Sequence, residues 1–218
     1  MASVGSEPAE RKGIANMKIY DFTQAPNPRR VRVFLAEKGL TVPFEQINIG
    51  TADNRKPDFL KINPMGTLPV LELDDGTRIA ESVAICRYLE GLHPEPNLLG
   101  KDNREQADIE MWNRRMELNL FGPVARTFQN TSDFFKGRIK QYPEYGAAQR
   151  ETVNQQLQWL DQQIGNKPFI AGDRFTIADI TAEVAIDFGA FAGIKPDPSL
   201  KNLTRWHQSV ASRPSAKA

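Results

Sequence analysis

The sequence predicts an α/β amino-terminal domain followed by an all-helical carboxy-terminal domain. Strand and helix patterns alternate over residues 17–93, whereas only the helical periodicity of apolar residues appears over residues 101–218. The proline- and glycine-rich stretch between the two patterns is typical of a linker. Residues 1–16 mix charges with glycine and proline and are expected to form a disordered arm.

The amino-terminal domain begins with a predicted strand, helix and second strand. Residues 18–22 alternate in character and run into a turn-rich segment, which predicts a strand that ends in a loop. Asn27 before Pro28 matches a helix N-cap and first helical residue, and Gly39 is the natural stop. Residues 44–49 are predicted as a second strand, parallel to the first because a helix connects them.

The same domain continues with a short helix, a hairpin and a longer helix. The short helix is expected around Asp58–Lys61. Leu68–Leu73 and Thr77–Ala80 flank an Asp-Asp-Gly turn, which is typical of an antiparallel hairpin. Ser82 is the expected cap of a helix that ends before Pro94. A β-α-β unit followed by a hairpin and a helix is the plan of the thioredoxin-like fold.

Pro69 is the informative residue of the hairpin. Proline cannot donate to a sheet ladder and is tolerated at the first residues of a strand, which is where Pro69 lies. We expect a cis Leu68–Pro69 bond, as in the thioredoxin-like fold, and expect the N–H and C=O of Leu68 to face outward. An extended peptide could then pair with Leu68 as an added strand. The hairpin therefore predicts a docking edge for a thiol peptide.

The carboxy-terminal half contains three helical signals. Asn103 to about Lys136 is a long amphipathic stretch, which Gly122-Pro123 is expected to break or kink. Thr176 and Asp179 form a predicted capping box at the start of another helix. A further helix carries four apolar residues at helical spacing: Val153, Leu157, Leu160 and Ile164.

Composition excludes several classes of function. The 28 Lys and Arg residues against 27 Asp and Glu residues give a net charge of +1, which supplies no long-range field for nucleic acid or an acidic membrane. No apolar run approaches the ~18 residues of a membrane span. The single cysteine, Cys86, is expected to be a packed core thiol, and with His93 and His207 it makes too few soft ligands for zinc. We expect a cytoplasmic protein without nucleic-acid, membrane or metal partners.

Four motifs, in order, resemble the soluble glutathione S-transferases. They are APNPRRVRVFLAEKG at residues 25–39, NPMGTLP at 63–69, Glu81-Ser82, and Thr176–Asp179. Each motif is weak alone, but the ordered set is specific and the resemblance covers residues 17–218. It implies a thioredoxin-like domain that binds glutathione, a helical domain that supplies the second substrate's site, and a homodimer. It implies glutathione as a co-substrate, a small hydrophobic electrophile or disulfide as the second substrate, and no other cofactor.

The resemblance also assigns residues to the cysteinyl and glycyl parts of glutathione. Leu68, before Pro69, would pair with the cysteinyl backbone, with Thr67 beside it. Arg55 falls where the family places a basic partner for the glycine carboxylate, with Asn54 as its neighbour.

The γ-glutamyl part would lie at Glu81 and Ser82. Its carboxylate would meet the N-terminus of the helix that Ser82 caps, where unpaired N–H groups and the helix dipole favour an anion. Glu81 would take the ammonium group. The alternative is that Ser82 is only a cap and Glu81 only a charge of the first turn.

The sequence departs from the family at the sulfur. Many members present Tyr, Ser or Cys after the first strand to hydrogen-bond the glutathione sulfur, and here that place is Ala25. Ala25–Pro28 also occupies the place of the C-P-x-C motif of glutaredoxins, which excludes catalysis through a cysteine pair of the protein. Asn27 and Thr23 remain as candidate catalytic residues, assisted by the N–H groups and dipole of the helix. Asn27 as a plain N-cap is the alternative.

Three functions remain open at this point. The leading hypothesis is the conjugation of glutathione to a small hydrophobic electrophile, in a bacterial protein of theta- or nu-like type. The second is glutathione-dependent disulfide exchange, which nu-like members with a Thr/Asn pair favour over conjugation. The third is a non-catalytic module that keeps the fold to bind a protein partner, since a fold does not fix function.

Overall fold

A computed structural model describes residues 16–218. The predicted disordered arm, residues 1–16, lies outside this range except for Asn16, which is a turn residue. The chain divides into two compact units, of which the first ends at Pro96 and the second comprises Asn97–Lys217. The predicted fold class, a thioredoxin-like domain followed by a helical domain, is confirmed.

The first unit alternates strands and helices around a four-stranded sheet. Its elements are β1 Lys18–Asp21, α1 Pro26–Glu37, β2 Phe44–Gln46, a 3₁₀ turn Asp53–Arg55, α2 Pro57–Ile62, β3 Val70–Glu72, β4 Arg78–Ala80 and α3 Ser82–Leu92.

The sheet has the order β2-β1-β3-β4. β2 is parallel to β1, as predicted from the helix that connects them, whereas β3 and β4 form the predicted antiparallel hairpin. The register places Tyr20 opposite Val70, and Val70 opposite Ala80. The end of β1, the start of β3 and the end of β4 therefore lie at one edge of the sheet.

The start of α1 differs from the prediction. The helix begins at Pro26 rather than Pro28, with Ala25 as an N-cap that has no side-chain hydrogen bond. Asn27 is thus the second helical residue, and its interpretation as an N-cap is wrong. Both prolines suit the first turn of a helix, where an N–H group is not needed, so the sequence allowed either start. The predicted stop is correct, since Gly39 follows the helix with φ +64°.

The start of α3 also requires a correction. Ser82 is the first helical residue, the N-cap position is Glu81 with φ +71°, and no side chain caps the helix. The Ser82 hydroxyl instead accepts a hydrogen bond from Nη1 of Arg30 at 2.9 Å. Further along α3, Cys86 is fully buried as expected, and burial raises the pKa of its thiol to about 12.

The second strand is shorter than predicted, while the short helix is slightly longer. β2 covers only Phe44–Gln46 instead of residues 44–49, because the chain leaves the sheet after Ile47 donates to the carbonyl of Asp21 at 2.8 Å. The predicted helix at 58–61 is α2, which adds one residue at each end.

The second unit is helical throughout. Its elements are α4 Asn103–Arg115, a π-helical segment Met116–Phe121, α5 Gly122–Thr131, a 3₁₀ turn Asp133–Phe135, α6 Pro143–Ile164, α7 Ile177–Gly189, a 3₁₀ turn Ala190–Ala192, α8 Lys201–Ala211 and a 3₁₀ turn Pro214–Lys217.

The predicted break at Gly122-Pro123 takes the form of a π-helical segment. The N–H of Gly122 donates to the carbonyl of Glu117, five residues back. Pro123 has no N–H and its ring crowds the preceding turn, so a wider turn before it avoids the clash without ending the helical path. No helix within residues 16–218 is both long and apolar enough to cross a membrane.

The capping box at the start of α7 is confirmed and has additional partners. The N–H of Thr176 donates to Oδ2 of Asp179 at 3.0 Å, and the N–H of Ala178 donates to Oγ1 of Thr176 at 3.3 Å. Oδ1 of Asp179 accepts from the N–H of Ile170 at 2.9 Å and from Nε1 of Trp206 at 2.8 Å. Burial raises the pKa of the Asp179 carboxyl to about 6, against the opposing effect of these hydrogen bonds.

Candidate functional site

Four loops of the first unit meet at the sheet edge defined above. They follow β1, follow β2, precede β3 and follow β4, and every candidate site residue of the sequence analysis lies in one of them or in the first turn of the helix that comes next. Because β1 and β2 are parallel while β3 and β4 are each antiparallel to their neighbour, these four ends are adjacent. The sheet topology therefore gathers residues that are 50 or more positions apart in the sequence.

The loop before β3 is held by Asn63. This buried side chain donates from Nδ2 to the carbonyl of Thr67 at 2.9 Å and accepts from the N–H of Met65 at 3.2 Å. Gly66 in the same loop has φ +61°, and a Cβ there would lie 2.8 Å from both Nη1 of Arg55 and the carbonyl oxygen of Asn54. Glycine is required at this position both by backbone conformation and by space.

Leu68 presents its backbone at the end of this loop. The Leu68–Pro69 peptide bond is cis, as expected. The side chain of Leu68 is buried in an apolar cluster with Tyr20, Phe59 and Val70, which fixes its position. Within residues 16–218 the N–H and C=O of Leu68 make no hydrogen bond. A backbone donor and acceptor pair is therefore available for an extended ligand, with the exposed Thr67 beside it.

Asn54 and Arg55 differ in what they offer a ligand. The buried amide of Asn54 donates to the carbonyl of Gly66 at 2.7 Å, so it supports the loop before β3. Arg55 is exposed and uses Nη1 to reach the carbonyl of Met65 at 3.1 Å. The other N–H groups of this exposed guanidinium have no hydrogen bond to a described residue and can meet an anion.

The start of α3 has unpaired backbone donors. The first helical bond runs from Ile85 to the carbonyl of Glu81 at 3.0 Å, and the N–H groups of Ser82, Val83 and Ala84 have no acceptor in the part of the chain that the structure describes. Glu81 is exposed and its carboxylate makes no ion pair with a described residue. A negative group of a ligand at the amides and a positive group at Glu81 both fit this arrangement.

The start of α1 has only one backbone donor without an acceptor among residues 16–218. The N–H of Ala25 is used in a turn, Pro26 and Pro28 have no N–H, and Arg29 donates to the carbonyl of Ala25 at 3.1 Å. The remaining donor is the N–H of Asn27, and its side-chain amide also has no hydrogen bond to any described residue. The N–H groups expected to assist at this helix are thus reduced to that of Asn27.

Thr23 uses both of its hydrogen-bond donors on a neighbouring side chain. Both its N–H and its hydroxyl donate to Oε1 of Gln46, at 3.1 and 3.0 Å. Gln46 in turn donates to the buried Asp21 at 2.6 Å, and Arg32 bridges Asp21 and the carbonyl of Thr23, each at 2.7 Å. The hydroxyl proton of Thr23 could reach a sulfur only if its bond to Gln46 broke, so Asn27 is the better placed candidate.

The helical unit contains a chain of aromatic rings. Neighbouring ring centroids lie 5.0 to 6.4 Å apart, and the last ring is 68% exposed. The aromatic cluster comprises Phe121, Phe128, Phe134, Phe135, Phe188 and Phe191.

Within residues 16–218 no group of three or more His, Cys, Asp or Glu side chains could hold a metal ion.

Comparison with known proteins identifies the family. Residues 25–92 match the glutathione S-transferase N-terminal domain, and residues 123–214 match the glutathione S-transferase C-terminal domain. Glutathione S-transferase 2 of Saccharomyces cerevisiae is 38% identical over 205 residues, which are 92% of this chain and 88% of that protein. The chain belongs to the glutathione S-transferase family.

Two further members show the breadth of this similarity. Maleylacetoacetate isomerase of Pseudomonas aeruginosa is 32% identical over 169 residues, which are 75% of this chain and 77% of that protein. The crystal structure of a glutathione S-transferase domain-containing protein from Marinobacter aquaeolei has a TM-score of 0.87 at 40% identity, covering 91% of this chain and 98% of that one. The family and its fold are therefore shown.

Sequence reasoning missed two residues of the candidate site region. Asn63 lies within the NPMGTLP motif but was not singled out, although its place at the end of α2 suits a side chain that organises a loop. Arg30 was also missed, although it precedes Phe34 by four positions and so shares the buried face of α1. A charged residue in an apolar stripe was the available signal.

Proposed function

We propose that this chain is a glutathione transferase in which the thiolate of glutathione attacks an electrophilic carbon of a small hydrophobic compound. The observation that carries the proposal is the meeting, at one sheet edge, of the unpaired backbone of Leu68 and the unpaired amide groups at the start of α3. A peptide thiol with an extended backbone and a terminal carboxylate fits both features.

The proposed binding mode follows from these groups. The cysteinyl N–H and C=O pair with the backbone of Leu68, beside Thr67. The γ-glutamyl carboxylate lies at the N-terminus of α3, where it accepts from the amides and from Ser82, while Glu81 binds the ammonium. Arg55 takes the glycine carboxylate, and Asn54 acts indirectly by holding the loop.

The proposed chemistry requires a thiolate at the start of α1. Loss of the thiol proton to solvent produces the nucleophile, the new carbon–sulfur bond forms, and the leaving group departs with the bonding electron pair. Asn27 can stabilise the thiolate through its backbone N–H and its side-chain amide, both of which have no acceptor among the described residues. The protein thus contributes binding, orientation and stabilisation of charge.

The helical unit supports a hydrophobic second substrate. The six-phenylalanine cluster described above is half-buried for the most part and ends in the exposed ring of Phe191, which offers an apolar contact of the kind that flat or aliphatic compounds use. Family membership supports a homodimer, a cytoplasmic location and a role in detoxification, and we include these in the proposal.

Glutathione-dependent disulfide exchange is the second candidate. It is favoured by Ala25, which leaves no hydroxyl at the expected position, and by the single unpaired amide at the start of α1. These features resemble the nu-like members that combine Thr and Asn, and they support placing the chain near the theta- and nu-like classes. A non-catalytic binding module is the third candidate, and the intact backbone edge at Leu68 weighs against it.

Parallel assays of one preparation separate the three candidates. The protein is incubated with glutathione and either a halodinitrobenzene or hydroxyethyl disulfide, and glutathione binding is measured by calorimetry. We expect binding together with faster conjugation than disulfide exchange. Faster disulfide exchange would establish the second candidate, and binding without either reaction would favour the third. A folded protein that does not bind glutathione would contradict both enzymatic proposals.

A further inference from the structure

A charged side chain is buried directly behind the start of α3. Arg30 on α1 is 1% exposed, and its Nη1 donates to Oγ of Ser82 at 2.9 Å, where Ser82 is itself 5% exposed. Arginine is almost never fully buried unless its charge is paired or used, because removing a guanidinium from water is costly. The position of Arg30 places a buried positive charge next to Ser82, at the start of α3.

The contact fixes the direction of the Ser82 hydroxyl proton. A guanidinium has only donors, so Oγ of Ser82 must act as the acceptor in this pair. The hydroxyl proton then points elsewhere, and no residue within 16–218 accepts it. It joins the unpaired N–H groups of Ser82, Val83 and Ala84 as one more donor at the start of α3.

The charge of Arg30 also acts on the first turns of α3. Cys86 lies one turn after Ser82 on this helix, and the positive charge of Arg30 lowers the pKa of its thiol, although burial raises it more strongly. A positive charge that influences Cys86 from the α1 side also adds to the positive end of the α3 dipole.

We propose that Arg30 is a positioning residue for the γ-glutamyl carboxylate of glutathione. It holds the Ser82 hydroxyl with its proton toward that carboxylate and places a permanent positive charge behind the N-terminus of α3. Arg30 itself does not touch the ligand. The inference rests on the proposed function and deepens it, because it names the residue that prepares the anion subsite.

The test compares two ligands across two variants. Arg30→Met removes both the charge and the hydrogen bond, whereas Arg30→Gln removes the charge but keeps a donor for Ser82. Calorimetry measures binding of glutathione and of 4-aminobutyryl-cysteinyl-glycine, an analogue that lacks only the γ-glutamyl carboxylate. We expect Arg30→Met to weaken glutathione binding by about tenfold and Arg30→Gln to weaken it less. Binding of the analogue should change by less than about twofold in both variants.

A matched control removes an arginine charge from an exposed position of α3. Arg87 is exposed on this helix, so Arg87→Met should bind both ligands as the parent does. Steady-state kinetics give a second measurement: Arg30→Met should raise the KM for glutathione while kcat and the pKa of the bound thiol stay at the parent's values. A general loosening of the fold would instead change all of these quantities.

The outcomes separate this inference from the proposed function. If the parent binds glutathione but Arg30→Met weakens both ligands equally, or neither, then Arg30 is only structural and the inference is wrong. If Arg30→Met does not fold, Arg30→Gln decides by the same pair of ligands. If the parent itself does not bind glutathione, the proposed function fails, and this inference fails with it.

Discussion

The N-termini of α3 and α7 differ in whether their first backbone N–H groups have acceptors. In α7, the N–H groups of the first turn all have acceptors, among them Oγ1 and the carbonyl of Thr176 and the carbonyl of Leu98. In α3, no side chain caps the helix, and the N–H groups of its first three residues have no acceptor in the described chain. The third helical residue is Asp179 in α7 and Ala84 in α3.

The difference separates a helix start whose backbone donors are satisfied within the protein from one whose donors are open. Leaving backbone donors without acceptors costs stability, and a negative charge near them is favoured by the helix dipole. In α7 the third helical residue is Asp179, whose carboxylate accepts from the N–H of the N-cap residue Thr176, whereas α3 has Ala84 at the matching position. The open start of α3 is thus less stable by itself and has room for the ligand carboxylate proposed above.

The largest expected effect comes from breaking the closed start of α7. Asp179→Ala leaves the N–H groups of Thr176 and Ile170 and the indole N–H of Trp206 buried without acceptors. We expect a loss of about 3–5 kcal/mol in the free energy of unfolding, measured by urea denaturation with tryptophan fluorescence. Asp187→Ala, on the same helix but half-buried, is the control and should cost about 1 kcal/mol or less. Equal losses in the two variants would contradict this account.

The pH dependence of stability provides a second test of the role of Asp179. The folded pKa of Asp179 is about 6 against an ordinary value of 3.8, so the folded state holds this proton more tightly than the unfolded state. Its contribution is therefore complete below about pH 4 and is lost as the pH rises to about 6, a change of about 3 kcal/mol.

Asp179→Asn does not titrate and provides the reference for this prediction. The difference in unfolding free energy between parent and variant, measured from pH 4 to pH 7, should shift in favour of the variant as the pH rises. A difference that is constant across this range would show that the hydrogen bonds to Asp179 keep its carboxyl ionised throughout.

The N-terminus of α1 is the third helix start in this comparison, and it is where the glutathione sulfur is proposed to lie. Asn27→Ala keeps the backbone N–H but removes the side-chain amide, and a hydrogen bond to a charged group is worth ~1.5–3 kcal/mol. We expect a higher pKa for the bound thiol and turnover slower by about one to two decades. Ultraviolet titration of the bound thiolate measures the pKa directly.

The control for this prediction is Asn27→Asp. An acidic residue suits the first turn of a helix, so the fold should be kept, while its negative charge should raise the thiol pKa further than the alanine does. The same thiol pKa in the parent and both variants would eliminate the Asn27 side chain as a catalytic group.

The smallest expected effect comes from closing the start of α3. Ala84→Asp places a carboxylate at the position that Asp179 has in α7, where it can accept from the N–H of the N-cap residue and puts a negative charge in the first turn of α3. We expect an equal or higher melting temperature and glutathione binding weaker by about tenfold, since the carboxylates compete. Ala84→Asn, of equal size but without charge, should weaken binding less. Unchanged affinity in Ala84→Asp would mean that no ligand carboxylate binds at this helix.

The parts of the fold that sequence predicted depend on short-range patterns. The capping box of Thr176 and Asp179 spans three residues, so its pattern was visible, whereas Ile170 and Trp206 reach Asp179 from 9 and 27 positions away. The role expected for Ser82 as a cap failed for the same reason. Its partner Arg30 is 52 residues away, and no local pattern indicates that contact.

The candidate site was predictable where the backbone alone defines it. Leu68 and the start of α3 follow from the hairpin and the helix, and both carry the expected unpaired groups. The roles of the side chains could not be assigned in the same way, because each role depends on which neighbour accepts a hydrogen bond from that side chain. Thr23 donates to Gln46 and Asn54 to Gly66, and neither contact could be read from spacing.

Cys86 takes no part in the sulfur chemistry proposed for this chain. It is the single cysteine of the sequence, it is buried in α3, and its thiol has a pKa of about 12. At neutral pH only about one molecule in 10⁵ would carry the protein thiolate. In a mixture of the folded protein and glutathione, nearly all of the thiolate thus belongs to the peptide. Disulfide products can be counted against glutathione alone, and oxidants that consume the peptide leave the folded protein's cysteine as a thiol.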